Sequence, residues 1–310
     1  MNFFVTILGS GAAAPAHGRN CSGQIVNVNG CHMLVDCGEG TQLQFRICHQ
    51  KLQSVSAIFI SHLHGDHVFG LPGLLASMHL HGRTAPIDVF APTGLRNMLS
   101  VVFEATGTHL QYELCVHELS ISNPEQVFSH ARCRVTAFPL VHTVPALGYL
   151  FEEEQPLLNM RKEVREQYNL TPSQCMNLKR GEDLVLPGGV CIPNAQLTLP
   201  PRHKCSYAYC CDTAYAESIL PAIKGVDLLC VESTFDDDQL ALAQEKCHLT
   251  ASQAARMALH AHAGSLLLTH FSARYKDVQP LLGAARAIFP NTLAAEDGMA
   301  IEVKPPISNL

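Results

Sequence analysis

The apolar run Val55–Ile60 is followed at once by Ser61-His62-Leu63-His64-Gly65-Asp66-His67. No other segment constrains the fold as tightly. A strand that ends at a sheet edge can hand its side chains to one cleft. His62 and His64 are two residues apart, so extended backbone sends both to the same side. Asp66 and His67 fall in the following turn and address a second point, and Gly65 permits the tight backbone this needs. Three imidazoles and a carboxylate suit a borderline cation such as zinc. Burying four titratable groups together without a cation would be costly.

Three further polar residues stand directly after strand-like runs. His142 follows Val135–Val141, Asp212 follows Ser206–Cys211, and His270 follows Ser265–Thr269. One zinc would take His62, His64 and His142. A second would take Asp66, His67 and His270, with Asp212 bridging the pair. Each metal then keeps an open position, the mark of a catalytic rather than a structural zinc. Manganese could substitute. The other histidines, including His79, His81, His260 and His262, read as ordinary core or surface residues.

Short runs rich in Val, Ile, Leu and Phe read as strands. They are Phe3–Leu8, Gln24–Val28, His32–Val35, Val55–Ser61, Ile87–Phe90, Arg134–Phe138, Ala146–Phe151, Ser206–Cys210, Leu228–Val231, Ser265–Leu268 and Met299–Val303. Helices are expected over Leu157–Gln167, over Ala251–His262 behind a capping Thr250, and from Asp277 to Phe289 before Pro290. Strand-helix alternation in the first and last thirds suggests two α/β halves packed sheet against sheet. The whole 310-residue chain reads as one domain.

Residues Gln155–Lys204 interrupt that pattern. They hold Arg161, Lys162, Arg165, Lys179, Arg180, Arg202 and Lys204 against Glu163, Glu166, Glu182 and Asp183. The segment is net positive in a chain of formal charge −6, which marks it as an inserted basic arm with its own partner. The overall charge argues against a surface that grips nucleic acid everywhere, not against a local patch. Thirteen scattered cysteines with no C-x-x-C pair, and an N-terminus that begins on a strand, point to a reducing cytoplasm. No stretch reaches membrane-span length. The adjacent Cys210 and Cys211 read as buried thiols rather than a redox pair.

H-x-H-x-D-H with a later His, Asp and His is similar to the metallo-β-lactamase superfamily. Three segments narrow the likeness: Leu8-Gly9-Ser10-Gly11 with Pro15 and Asn20; Val35-Asp36-Cys37-Gly38-Glu39-Gly40-Thr41-Gln42; and the ordered trio Glu232-Ser233-Thr234-Phe235, His248-Leu249-Thr250-Ala251 and Thr269-His270-Phe271-Ser272-Ala273-Arg274-Tyr275. Together they resemble the ribonuclease Z family. The resemblance implies a four-layer αββα sandwich and zinc-dependent removal of 3′ trailers from precursor tRNA. The products would be a 3′-hydroxyl on the tRNA and a 5′-phosphate on the trailer.

On that resemblance Asp66 orients or deprotonates the attacking hydroxide, His248 protonates the leaving oxygen, and Glu232 holds His248. Arg161, Lys162, Arg165, Lys179 and Arg180 in the arm, with Arg274, would contact RNA. A homodimer is implied, one subunit's arm serving the other's cleft. The chain departs from the family at two places. Thr171-Pro172-Ser173-Gln174-Cys175 stands where a Gly-Pro-rich arm tip is usual, before Lys179-Arg180-Gly181-Glu182, and Cys210-Cys211 precedes Asp212 where small residues are usual. An alternative is a small-molecule phosphodiesterase or arylsulfatase-like zinc hydrolase on the same scaffold. A non-catalytic binding protein would have no use for the complete ligand set and His248.

Overall fold

The computed structural model describes residues 3–154 and 157–305. They form two compact units, Met1–Glu153 with Cys205–Leu310, and Glu154–Lys204. In the larger unit one seven-stranded sheet contains β1 (Phe3–Gly9), β2 (Gly23–Val28), β3 (Cys31–Cys37), β4 (Val55–Phe59), β5 (Ile87–Pro92), β6 (Leu114–Leu119) and, beside β1, β16 (Ala300–Glu302). The second sheet contains β7 (Glu125–His130), β8 (Cys133–Pro139), β9 (Leu147–Glu153), β12 (Ser206–Cys210), β13 (Leu228–Glu232), β14 (Ser265–Thr269) and β15 (Thr292–Ala294). Its spatial order is β15-β14-β13-β12-β9-β8-β7, and β12 to β15 run parallel.

The central strands bury both faces, and their side chains divide between two cores. In β3 and β4, Met33, Val35, Ala57 and Phe59 point between the sheets, while Leu34 and Ile58 face outward. Helices α1 (Thr41–Ile47), α3 (Leu71–Leu80) and α4 (Leu95–Thr106) share the outer core of the first sheet. On the second sheet the outer layer is α9 (Ala251–His260) and α10 (Gln279–Arg286). Two shorter helices, α2 (Gly65–Val68) and α8 (Leu240–Lys246), lie in the connections. The expected four layers, helix-sheet-sheet-helix, are present.

Tyr149 ties the sheets near the site, its hydroxyl donating to the Ile60 carbonyl at 2.8 Å. The Leu147 N–H reaches the Ser61 carbonyl at 2.9 Å. Strand β7 was invisible to apolar patterning because it is an edge strand with mostly exposed side chains.

The smaller unit has its own core of Val164, Leu170, Leu178, Leu184 and Leu197. It contains α5 (Val164–Gln167), α6 (Pro172–Lys179), α7 (Asn194–Leu197) and the hairpin β10 (Leu184–Val185) with β11 (Cys191–Ile192). The helix expected over Leu157–Gln167 is only one turn long. Its first half instead pairs with other arm segments, Leu158 N–H to the Lys179 carbonyl and Arg161 N–H to the Leu197 carbonyl. Those bonds override local helix propensity. Gln155 and Pro156, the first two residues expected in the arm, lie outside the described residues. At the atypical tip, Thr171 and Gln174 form a reciprocal capping box that starts α6.

Candidate metal centre and cleft

The ends of β4, β12 and β14 and the β8–β9 connection converge at one edge of the two sheets, the usual place for a site on parallel strands. Past β4 the chain stays extended through His64, the N-cap of α2, so that Asp66 and His67 turn back beneath it. Gly65 is not what makes this tight: a Cβ there would meet only the ring of the exposed Phe69. The close approach depends on Gly38 and Gly70. A Cβ on Gly38 would lie 2.2 Å from the Asp66 carbonyl oxygen, and one on Gly70 would lie 2.1 Å from the Gly38 carbonyl oxygen.

All seven sequence-expected metal ligands meet, in two groups. In the first, His62 Nε2 lies 3.1 Å from His64 Nδ1 and 3.4 Å from Asp212 Oδ2. His142 Nε2 lies 3.3 Å from His64 Nδ1 and 3.8 Å from Asp212 Oδ2. In the second, His270 Nε2 lies 3.2 Å from His67 Nε2, 3.3 Å from Asp66 Oδ2 and 3.2 Å from Asp212 Oδ1. His67 Nε2 is 3.5 Å from both Asp66 Oδ2 and Asp212 Oδ1. Asp212 thus offers one oxygen to each group. Tetrahedral ligands at zinc-like bond lengths of about 2.0–2.1 Å stand about 3.3 Å apart. The observed spacings fit that edge.

Donor chemistry agrees. Burial, assisted by the neighbouring His67 charge, lowers His62 to about 4, which leaves a neutral lone pair. Burial opposes charge on Asp66 and Asp212, yet the surrounding histidines hold both carboxyls well below their ordinary range. The sites therefore present imidazole nitrogens with two carboxylates, a set that fits divalent cations.

The partners behind the ligands carried no assigned role in the sequence reading. Asp36, at positive φ and fully buried, accepts from Ser61 N–H at 2.7 Å, Ser61 Oγ at 2.8 Å and Tyr209 Oη at 2.7 Å, and bonds His67 Nδ1 at 2.8 Å. That bond leaves His67 Nε2 for a cation. The Cys247 carbonyl accepts from His142 Nδ1 at 3.1 Å. Thr234 Oγ1 donates to Glu232 Oε2 at 2.5 Å and so accepts from His270 Nδ1 at 2.9 Å. Asp36 stood in a quoted motif, but nothing local distinguished a ligand orienter from a structural Asp. Cys211, in the unusual position before Asp212, donates its thiol to Asp212 Oδ1 at 3.1 Å, and burial keeps that thiol protonated.

His248 stands just outside the ligand groups, with its ring 5.1 Å from His142 and 5.6 Å from His270, centroid to centroid. Its Nδ1 meets Glu232 Oε1 at 2.9 Å. Glu232 also accepts the Thr213 N–H at 2.8 Å. Burial disfavours the imidazolium, but the Glu232 carboxylate, joined by Asp212 and Asp66, outweighs it and raises His248 to about 9. His64, Asp66, His142, Asp212 and His270, with His248, Lys246 and Arg274, line a cleft of about 380 Å³ beside the Ala12–Ala14 loop. Arg274, expected to contact RNA, is exposed there; Lys246 is a cleft cation that sequence reading missed. Arg161, Lys162, Arg165 and Arg180 are exposed, and Lys179 half-buried, on the smaller unit.

Residues 3–155 match the family model described as Anti-Pycsar protein Apyc1. Ribonuclease Z of Porphyromonas gingivalis is 41% identical over 303 residues, 97% of this chain and 99% of that protein. The chain belongs to the ribonuclease Z family. Among solved ribonuclease Z relatives, human tRNase Z, short form, superposes with a TM-score of 0.71 at 29% identity, covering 97% of this chain and 99% of that one. The metallo-beta-lactamase fold protein YhfI from Bacillus subtilis gives 0.67 at 20% identity, covering 97% and 99%, which extends the fold likeness alone. The ribonuclease Z fold here is thus the metallo-β-lactamase sandwich.

Proposed function

We propose that this ribonuclease Z family member is the endoribonuclease that cuts the 3′ trailer from precursor tRNA, using two divalent cations, zinc in the first instance. The observation that carries the reading is the pair of donor groups joined by Asp212, with the His248–Glu232 pair opening on the same cleft. His62, His64, His142 and Asp212 would hold one cation; Asp66, His67, His270 and Asp212 the other. When bound, the cations supply an acidified water and neutralise charge on the phosphate.

The remaining work falls to side chains. Asp66, fixed by the Ala13 N–H at 2.7 Å, orients the attacking water and takes its proton. The water oxygen forms a bond to phosphorus, and the bond from phosphorus to the 3′ oxygen breaks. With Nδ1 committed to Glu232, His248 gives its Nε2 proton to that departing oxygen. The tRNA keeps a 3′-hydroxyl and the trailer a 5′-phosphate. Lys246 and Arg274 attract the phosphate to the cleft.

The exposed cations Arg161, Lys162, Arg165 and Arg180, with Lys179, support the smaller unit as the tRNA-gripping arm. A homodimer follows from the family resemblance and is measured by sedimentation. Cytoplasmic residence fits thirteen cysteines, most of them buried thiols. Among the described residues no helix is long and apolar enough to cross a membrane.

Incubation with zinc or manganese and a 3′-extended precursor tRNA, with product ends mapped, tests the reading. Cleavage beside the discriminator base is expected; no cleavage with either metal rejects it. The small-molecule alternative predicts turnover of a chromogenic diester that tRNA does not inhibit.

A further inference from the structure

A second set of metal-binding side chains lies far from the cleft. Cys31 opens β3 and Cys133 opens β8, so the two thiols come from different sheets. His130 closes β7 and pairs with Cys133 across the two-residue turn Ala131-Arg132. One ligand atom from each of Cys31, His130 and Cys133 lies within 4.8 Å of the other two. The active cleft gathers at the other end of β3, past Asp36, about 16 Å along the strand at 3.3 Å per residue.

We propose that Cys31, Cys133 and His130 form a separate site for a thiophilic d10 cation of the zinc type, clamping the two hairpin tips together. Two sulfurs and an imidazole are a soft donor set, which oxygen-seeking cations avoid. Tetrahedral Zn–S bonds of about 2.3 Å place sulfurs about 3.8 Å apart, inside the observed limit. Both cysteines are buried whereas His130 is exposed, so the site is entered past the imidazole. Three protein donors leave a fourth position to solvent.

The surroundings of Cys31 favour its thiolate. A hydrogen bond from Cys133 lowers Cys31 below its ordinary value against the opposing effect of burial; the Ser56 hydroxyl and the Arg132 charge add to it. Thiolate is the form that binds metal. A disulfide would use the two cysteines but would give His130 no part.

The test uses the full chain, reduced, stripped of metal and titrated with Co²⁺. The cleft ligands are imidazoles and carboxylates, so a thiolate-to-cobalt charge-transfer band in the near ultraviolet reports a different site. Wild type should show the band, Cys133→Ala should lack it, and Cys211→Ser should keep it. His130→Gln, at an exposed position that folding tolerates, should weaken cobalt binding at the band about tenfold or more. Its tRNA cleavage should match wild type, which separates this site from the cleft. A wild type without the band overturns the proposal. So does a band that only Cys211→Ser removes, or a Cys31–Cys133 disulfide in protein kept under reductant.

Discussion

Asp36 Oδ2 lies 2.8 Å from His67 Nδ1, and neither side chain has any solvent exposure. The same carboxylate binds the backbone and hydroxyl of Ser61 and the hydroxyl of Tyr209, which comes from the opposite sheet. One buried anion therefore fixes the start of the His62–His67 loop, the orientation of the His67 ring and the seam between the two halves of the site.

Asp36→Asn should lower metal affinity at the Asp66–His67–His270 group about 10–100-fold, the usual effect of removing a carboxylate behind a ligating histidine. Asp36→Ala should also destabilise the fold, by about 3 kcal/mol, because it orphans buried donors on Ser61 and Tyr209. Metal titration followed by mass spectrometry checks the first, and denaturant unfolding the second. Unchanged metal content in Asp36→Asn would deny Asp36 its orienting role.

His248→Ala should cut turnover of precursor tRNA about 10²–10⁴-fold while both cations stay bound. Loss of metal from this variant would mean that His248 is a ligand instead.

The pH profile carries its own sign. Glu232 raises His248 to about 9, so the proton needed by the leaving oxygen is present below that value and is lost as pH climbs through it. The alkaline limb of kcat/KM should fall near 9. In Glu232→Gln that limb should move to lower pH, because only Asp212 and Asp66 then offset burial. A limb that stays in place assigns it to another group.

Chelation should abolish cleavage and lower the melting temperature. The donor groups stand only 3.1–3.8 Å apart, and a cation bound at 100 times its Kd adds about 2.7 kcal/mol to the folded state. Differential scanning fluorimetry with zinc added back reads this directly, and an unchanged midpoint contradicts it.

Alanine at Arg161, Arg165 and Arg180 should weaken precursor-tRNA binding and flatten its salt dependence. The log–log slope should change by about 0.7–0.9 for each phosphate that is no longer neutralised. Excision of the arm is feasible: Glu153 N–H donates to the Cys205 carbonyl at 3.0 Å, so the flanking ends already meet. The shortened chain should fold and retain diester turnover but no longer bind tRNA.

The candidate ligand set was readable in the sequence because each member follows a strand, and strand ends collect at a sheet edge. His62, His64, Asp66 and His67 declared themselves by spacing; His142, Asp212 and His270 needed only the alternation of buried runs around them. The helix expected over Leu157–Gln167 failed because Leu158 and Arg161 give their N–H groups to distant arm carbonyls, information no local window contains.

Sequence by itself thus determined most of the strands, the candidate donor atoms and the family. Only tertiary structure decided that Asp212 divides its oxygens between two groups, that Asp36 and Thr234 set the imidazole tautomers, and that Gly38 and Gly70 rather than Gly65 allow the close approach. Those choices depend on pairings between residues up to about 200 positions apart, such as His67 with His270. Spacing along a chain fixes which face a side chain takes, but not which partner it finds there.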